Sequence, residues 1–239
     1  MSLVTAEHPG ARRFMPRPVR ECLYDWGPRR KRRWRKWPGL EVVAAGGHAV
    51  LTFDDGPDDD TLPVLRALDD VGARATFFVL GEQVERNPQI VLEIVERGHD
   101  IGVHGYRHVP MSELEPDEAR RDIVRTIDRL GALGCRPKWF RPPYGRPSEA
   151  AFETCTAHGL QFVYWSSWGI DWEPRSATLI AEHVQRRLAD GTIVLLHDSA
   201  RYAPRRTARP TADAVRLIAE QAHELGLDLV SVGEATRAA

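Results

Sequence analysis

Two adjacent carboxylates, Asp54 and Asp55, follow the apolar run Val50-Leu51-Thr52-Phe53 and precede Gly56-Pro57. An apolar stretch stopped by a Gly-Pro turn reads as a buried strand, so both acids stand at its C-terminal end. Successive strand residues point to opposite sides, which predicts separate duties: one acid holds a metal and the other handles a proton. His104 and His108 have a spacing that puts both imidazoles on one face of a helical turn and is familiar from zinc sites. With Asp55 they make an Asp-His-His set, three protein ligands that leave a position for water and substrate, as catalytic centres do. Zinc is the first expectation, with cobalt, nickel or manganese as alternatives. A cation held this way lowers the pKa of water towards about 7 and polarises a carbonyl oxygen, the chemistry of amide or ester hydrolysis.

Hydrolysis also needs a base for the water and an acid for the leaving group. Asp54 is the expected base. His197 is the expected acid, because a poor amine leaving group must be protonated and imidazolium does so near neutral pH. Asp171 is placed to hold His197 protonated, and Arg141 to pair with Asp54 and keep it ionised, since opposite charges favour the charged forms.

These side chains need a scaffold. From His48 onward, short apolar runs alternate with helical patterns, which predicts βαβ units and a mainly parallel sheet. Strands are expected at 48–53, 75–81, 100–103, 138–140, 161–165, 192–196 and 227–232. One helix is expected across 84–95, one opened by the capping pair Ser112 and Glu115, and one with Pro147 in its first turn. About seven β/α units are too few for a regular eight-fold barrel and predict a distorted or incomplete (β/α) barrel, an α/β fold. Asp54/Asp55, His104/His108, Arg141, Asp171 and His197 all fall at or just beyond strand C-termini, the rim where such folds assemble their sites.

The chain has 239 residues, of which 42% are hydrophobic and 28% charged, a composition that fits one globular domain and argues against disorder. Residues 1–47 carry 11 Lys/Arg against 4 Asp/Glu and contain the run Arg29-Arg30-Lys31-Arg32-Arg33-Trp34-Arg35-Lys36-Trp37. This segment reads as a basic, proline-containing N-terminal extension, with residues 48–239 as the catalytic domain. A solvated arm is the first expectation for it, contact with an anionic polymer or surface the second, and nucleic acid is not an expected partner. Cys22, Cys135 and Cys155 suit free thiols rather than a disulfide framework. No apolar run is long enough to span a bilayer, and the first residues lack a secretory core. The chain as written is therefore expected in the cytoplasm, or outside it if a leader has been removed.

The segments Thr52-Phe53-Asp54-Asp55-Gly56-Pro57, His104-Gly105-Tyr106-Arg107-His108, Arg141-Pro142-Pro143-Tyr144-Gly145, Asp171-Trp172 and Leu195-Leu196-His197 occur in the order of, and closely resemble, those of the polysaccharide deacetylase family. These nodulation-type carbohydrate esterases remove N- or O-acetyl groups from sugar polymers. The likeness runs from His48 to about Val232. It implies a distorted barrel, a divalent metal on Asp55, His104 and His108, Asp54 as base, His197 as acid, and a carbohydrate or acetylated amino-sugar substrate. It further implies that the backbone N–H of Tyr144 helps stabilise the oxyanion and that Trp172 and Leu195 line the pocket for the acetyl methyl. Two positions depart from the pattern. Gly105 stands where the family usually has Ser or Thr, which removes a ligand-supporting hydroxyl, and Trp168 stands where members commonly have a further Asp. Tyr106, Tyr144, Trp165, Trp168 and Tyr202 are candidate platforms for sugar rings.

Other readings are hydrolysis of small linear amides on the same site and a non-hydrolytic glycan- or anion-binding module. An aspartyl-phosphate phosphatase is disfavoured, since its two acids must lie one residue apart to point the same way, and it has no use for the histidine pair.

Overall fold

A computed structural model describes residues 36–237. The chain divides between Pro38 and Gly39, so the compact unit that holds the sheet begins before His48. Leu40 bridges Val163 and Val42 bridges Thr192, and Val43 is buried in the core. All of the basic run except Lys36 and Trp37 lies outside the described residues, as does Cys22. Cys135 and Cys155 are free thiols. Among the described residues no helix is long and apolar enough to cross a membrane.

The central strand β1 (His48–Asp54) is buried at all seven positions, as expected of a parallel strand covered on both faces. It is followed by α1 (Thr61–Asp70), β2 (Ala75–Val79), α2 (Gly81–Arg86), α3 (Pro88–Glu96) and β3 (Asp100–Val103). Next come α4 (Pro116–Ala132), β4 (Trp139–Phe140), α5 (Glu149–Ala157), β5 (Gln161–Phe162) and β6 (Ser167–Trp168). The chain closes with α6 (Ala177–Gln185), β7 (Ile193–His197), α7 (Arg209–Glu224), β8 (Asp228–Val230) and α8 (Val232–Arg237). The strands run β5-β4-β3-β2-β1-β7-β6, with β8 pairing the first residues of β1, and every pairing between these strands is parallel. This is the curled, incomplete (β/α) barrel that the rhythm of the sequence predicts.

Several boundaries differ for local reasons. The single helix expected over 84–95 is two helices, because Pro88 has no N–H to donate and disfavours helical geometry at Asn87. The helix expected from Ser112 begins instead at Pro116, in the first-turn position suited to proline, and Ser112 lies in a short 3-10 turn. Ser148, rather than Pro147, opens α5, its hydroxyl accepting from the Ala151 N–H. Strand β6 is only two residues long, too short for an alternating pattern to be read.

His99, just before β3, is buried, and its Nδ1 accepts the Ala75 N–H at 3.3 Å. Burial first, then the nearby Arg74 charge, pushes its pKa down to about 4. The unfolded chain takes up this proton near pH 6.5, so the stability tied to neutral His99 is lost as pH falls from about 6.5 to about 4. His99→Gln should flatten the fall in melting temperature over that window; an unchanged slope in the variant would count against His99 as its source.

Candidate active site

Sheet register sets the first contacts of the site. Asp54, the last residue of β1, is the direct partner of His197, the last residue of β7. On the other side of β1, strands β2, β3 and β4 follow in order, so the segments leaving β3 and β4, which carry His104 and Arg141, lie side by side. Arg141 is fully buried. Its Nη1 donates to Asp54 Oδ1 at 2.8 Å and to the Thr52 hydroxyl at 2.7 Å, Nη2 donates to the Tyr164 carbonyl, and Nε to that of Val163. Its own carbonyl accepts from His104 Nδ1 at 2.7 Å. One residue thus holds Asp54 with its side chain and His104 with its backbone.

Electrostatics at Asp54 differ in balance from the sequence expectation. Burial raises its pKa, and the opposing pull of Arg141, then of His197, does not cancel the rise. Desolvating a carboxylate costs more here than its ion pair returns, which makes Asp54 a stronger base than an exposed aspartate.

Asp55 leaves the strand with φ 85°, a left-handed conformation that Asp tolerates better than most residues. The alternation of side chains therefore ends at Asp54. His104 Nε2 lies 3.8 Å from Asp54 Oδ2 and 3.5 Å from Asp55 Oδ1, so both carboxylates approach the same imidazole. The turn is held from β7: Asp198 Oδ1 accepts the Gly56 N–H at 3.1 Å and Oδ2 accepts the Thr61 hydroxyl at 2.6 Å. A Cβ at residue 56 would collide with that carboxylate, so glycine is required there.

Asp55, His104 and His108 bring one ligand atom each within 4.8 Å of one another. His108 Nε2 is 3.2 Å from Asp55 Oδ1, which is buried and accepts no hydrogen bond. Burial holds His104 at about 3 and His108 below the usual histidine value, so both are neutral at pH 7. With the Nδ1 proton of His104 given to Arg141, its Nε2 lone pair faces a carboxylate oxygen. Electron-rich atoms converging without a proton between them fit a divalent cation, and a backbone carbonyl behind a ligating histidine is the usual support. The hydroxyl absent at Gly105 is therefore not needed to orient His104.

At the opposite side of Asp54, His197 Nδ1 is 2.9 Å from Asp171 Oδ1, and the His197 N–H donates to Asp171 Oδ2 at 2.8 Å. Thr211 donates its hydroxyl to the same Oδ2, and Arg205 Nη1 stands 3.5 Å away. Arg205 Nη2 also binds the carbonyls of His197 and Ser199. Burial alone would raise the Asp171 pKa; the charges of His197 and Arg205 outweigh it and leave the group lowered. Burial likewise opposes a charge on His197, yet Asp171 lifts its pKa to about 9. The Trp172 ring meets the His197 imidazole edge-on, with centroids 5.6 Å apart.

The polysaccharide deacetylase profile matches residues 43–163. A peptidoglycan-N-acetylglucosamine deacetylase of Bacillus cereus is 35% identical over 192 residues, covering 79% of this chain and 87% of that protein. The chain belongs to the polysaccharide deacetylase family. A second peptidoglycan-N-acetylglucosamine deacetylase of Bacillus cereus is 39% identical over 152 residues, 63% of this chain, and the chain spans about half of its length, 55%. Among solved structures, a family 4 carbohydrate esterase from Streptomyces lividans in complex with acetate superposes with a TM-score of 0.70 at 33% identity, covering 78% of this chain and 93% of that one.

Against this family background, the HxxxH segment corrects one expectation. Residues 104–108 form a loop with no helical turn, opened by Gly105 at φ 89°. Convergence of the two imidazoles comes from the folding of that loop. Trp168 is a packing residue: only 4% exposed, its ring lies under the Arg187 guanidinium at 4.6 Å and near His183, and it offers no face to a sugar. Tyr106 is likewise engaged, donating to Glu85 and stacked under Arg125. Trp165 packs towards Arg141. Tyr144, 55% exposed, and Tyr202 flank the His108 ring at 4.4 and 4.7 Å, so these two define the aromatic rim beside the ligand set. Leu195 is buried on β7 opposite Thr52. Asp198, Arg205 and Thr211 are the supporting residues that motif reading missed. Each acts through a contact distant in sequence, which no periodicity marks.

Proposed function

We propose that the chain removes acetyl groups by hydrolysis from N-acetylated amino sugars in a glycan of the peptidoglycan type, with zinc first among the divalent metals that Asp55, His104 and His108 would hold. The observation that carries this reading is the convergence of two neutral imidazoles and a carboxylate on one side of a buried Asp54, with a protonated His197 on its other side. Both Bacillus cereus relatives are peptidoglycan-N-acetylglucosamine deacetylases, which supports the substrate class.

When bound, the cation supplies Lewis acidity at the acyl carbonyl and at water. Asp54 Oδ1 is tied to Arg141, which leaves Oδ2 to take the proton from the attacking water. With Nδ1 of His197 bonded to Asp171, Nε2 is left to deliver a proton to the sugar nitrogen as the carbon–nitrogen bond breaks. Water and amide are consumed, acetate and a free amine result, and the two proton transfers balance. The Tyr144 N–H would add a donor to the oxyanion, while Trp172 and Leu195 would border the methyl.

Acetate release should be measured from N-acetylglucosamine oligomers, peptidoglycan fragments and O-acetylated sugars, with metal removed and restored. Release from the N-acetylated glycans is expected, falling to background on chelation and returning with Zn²⁺ or Co²⁺. Release that survives complete chelation would sink the metal assignment. Glycan binding without release under any metal would favour the binding-module alternative.

A further inference from the structure

The loop that carries both histidines has its backbone groups paired from two sides. The Gly105 and Tyr106 carbonyls accept from the N–H groups of Gly81 and Glu82 at 3.0 and 3.1 Å. On the other side, Asp122 reaches in from α4. Its Oδ1 accepts the Tyr106 N–H at 2.6 Å and its Oδ2 the Arg107 N–H at 3.3 Å, with Arg107 Nε 3.5 Å from Oδ2. Asp122 is only 5% exposed and shares the buried face of α4 with Ala119, Ile123 and Thr126. A carboxylate on such a face costs free energy unless its oxygens are well used, and an apolar residue would pack there more cheaply. What it secures is the orientation of the two middle peptide groups, 105–106 and 106–107, of the stretch from His104 to His108.

Gly105 and Asp122 act as one unit. At φ 89°, a Cβ on residue 105 would sit 2.9 Å from Asp122 Oδ1 and 2.8 Å from Met111 Cε, so a side chain at this point has no room while Asp122 holds the loop. We infer that Asp122 is the positioning residue of the metal-ligand loop, doing through two backbone N–H groups what a side chain at residue 105 cannot do here. The inference rests on the metal-site reading above, since a loop with no ligand to place would have no such need.

The test is Zn²⁺ affinity, measured by calorimetry on the dialysed full chain, alongside the melting temperature of the metal-free protein. Asp122→Asn keeps the size of the side chain but turns one acceptor into an NH₂ group facing a backbone N–H. It should weaken Zn²⁺ binding by about 10–100-fold, the usual effect of losing a group that orients a ligand. A variant that melts lower yet binds Zn²⁺ with wild-type affinity overturns the inference, because Asp122 would then be merely structural. If Asp122→Asn fails to fold, Gly105→Ala decides: it retains the carboxylate but displaces the loop, and it too should bind Zn²⁺ about 10–100-fold more weakly. Unchanged affinity in that variant overturns the inference. If the wild-type chain binds no divalent metal, the functional reading falls with it. If the wild type binds metal and releases acetate while both variants bind as tightly, only the role of Asp122 falls.

Discussion

Asp54→Asn lowers acetate release by about 10²–10⁴-fold, the range of a lost general base, and leaves divalent-metal binding in place. The two effects separate because Asp54 and Asp55 have different surroundings. Asparagine retains an oxygen for the 2.8 Å bond from Arg141, and the ligand set Asp55, His104 and His108 is untouched. What it loses is the basicity that burial has raised. The substitution also leaves the fully buried guanidinium without its counterion, although Thr52, Val163 and Tyr164 still accept from it. Stability should therefore fall by up to about 3–5 kcal/mol, and activity must be read well below the variant's melting temperature. His104→Ala is the contrasting variant, losing metal and turnover together. An Asp54→Asn protein with full activity and normal metal content would show that the base lies elsewhere.

The second large effect concerns the acid. His197→Gln should cost a comparable 10²–10⁴-fold, and activity in the wild type should fall as pH rises through about 9, because the donor must carry its proton. Asp171→Asn should draw that alkaline limb downwards. Without the Asp171 charge, burial dominates at His197 and favours the neutral ring, so the active protonation state is lost at a lower pH. The same linkage bears on stability. The His197 pKa is raised from its ordinary value to about 9, so the stabilisation from its pair with Asp171 is complete below about pH 6.5 and is lost as pH climbs to about 9. A pH–rate profile for Asp171→Asn whose alkaline limb coincides with the wild-type limb would remove Asp171 from this role.

Much of the site was legible because its parts sit where local signals are strong. Asp54 and Asp55 end an apolar run at a Gly-Pro turn, His104 follows β3, Arg141 follows β4 and His197 closes β7, so strand periodicity and turn chemistry found each in turn. Conformation within the loops was harder to read. The His104–His108 spacing suits a helix equally well, and only Gly105 hinted at a loop. The alternation argument for Asp54 and Asp55 failed at a single torsion, φ 85° at Asp55, which lets both carboxylates reach the same histidine. Trp168 read as a candidate platform for a sugar ring, and only its burial and its contacts with Arg187 and His183 show it to be packing.

By itself, the sequence determined the kinds of chemical group present, their order and their places at strand ends, since residue identity and short-range pattern are written locally. Tertiary structure alone decided which groups meet and in what charge state. The Gly56 N–H bond to Asp198 and the Arg141 bond to Asp54 join residues 142 and 87 positions apart. The raised Asp54, the neutral His104 and the protonated His197 follow from burial and from charges brought close by folding. Desolvation is a property of the whole packed surround, so no stretch of the chain read alone can carry it.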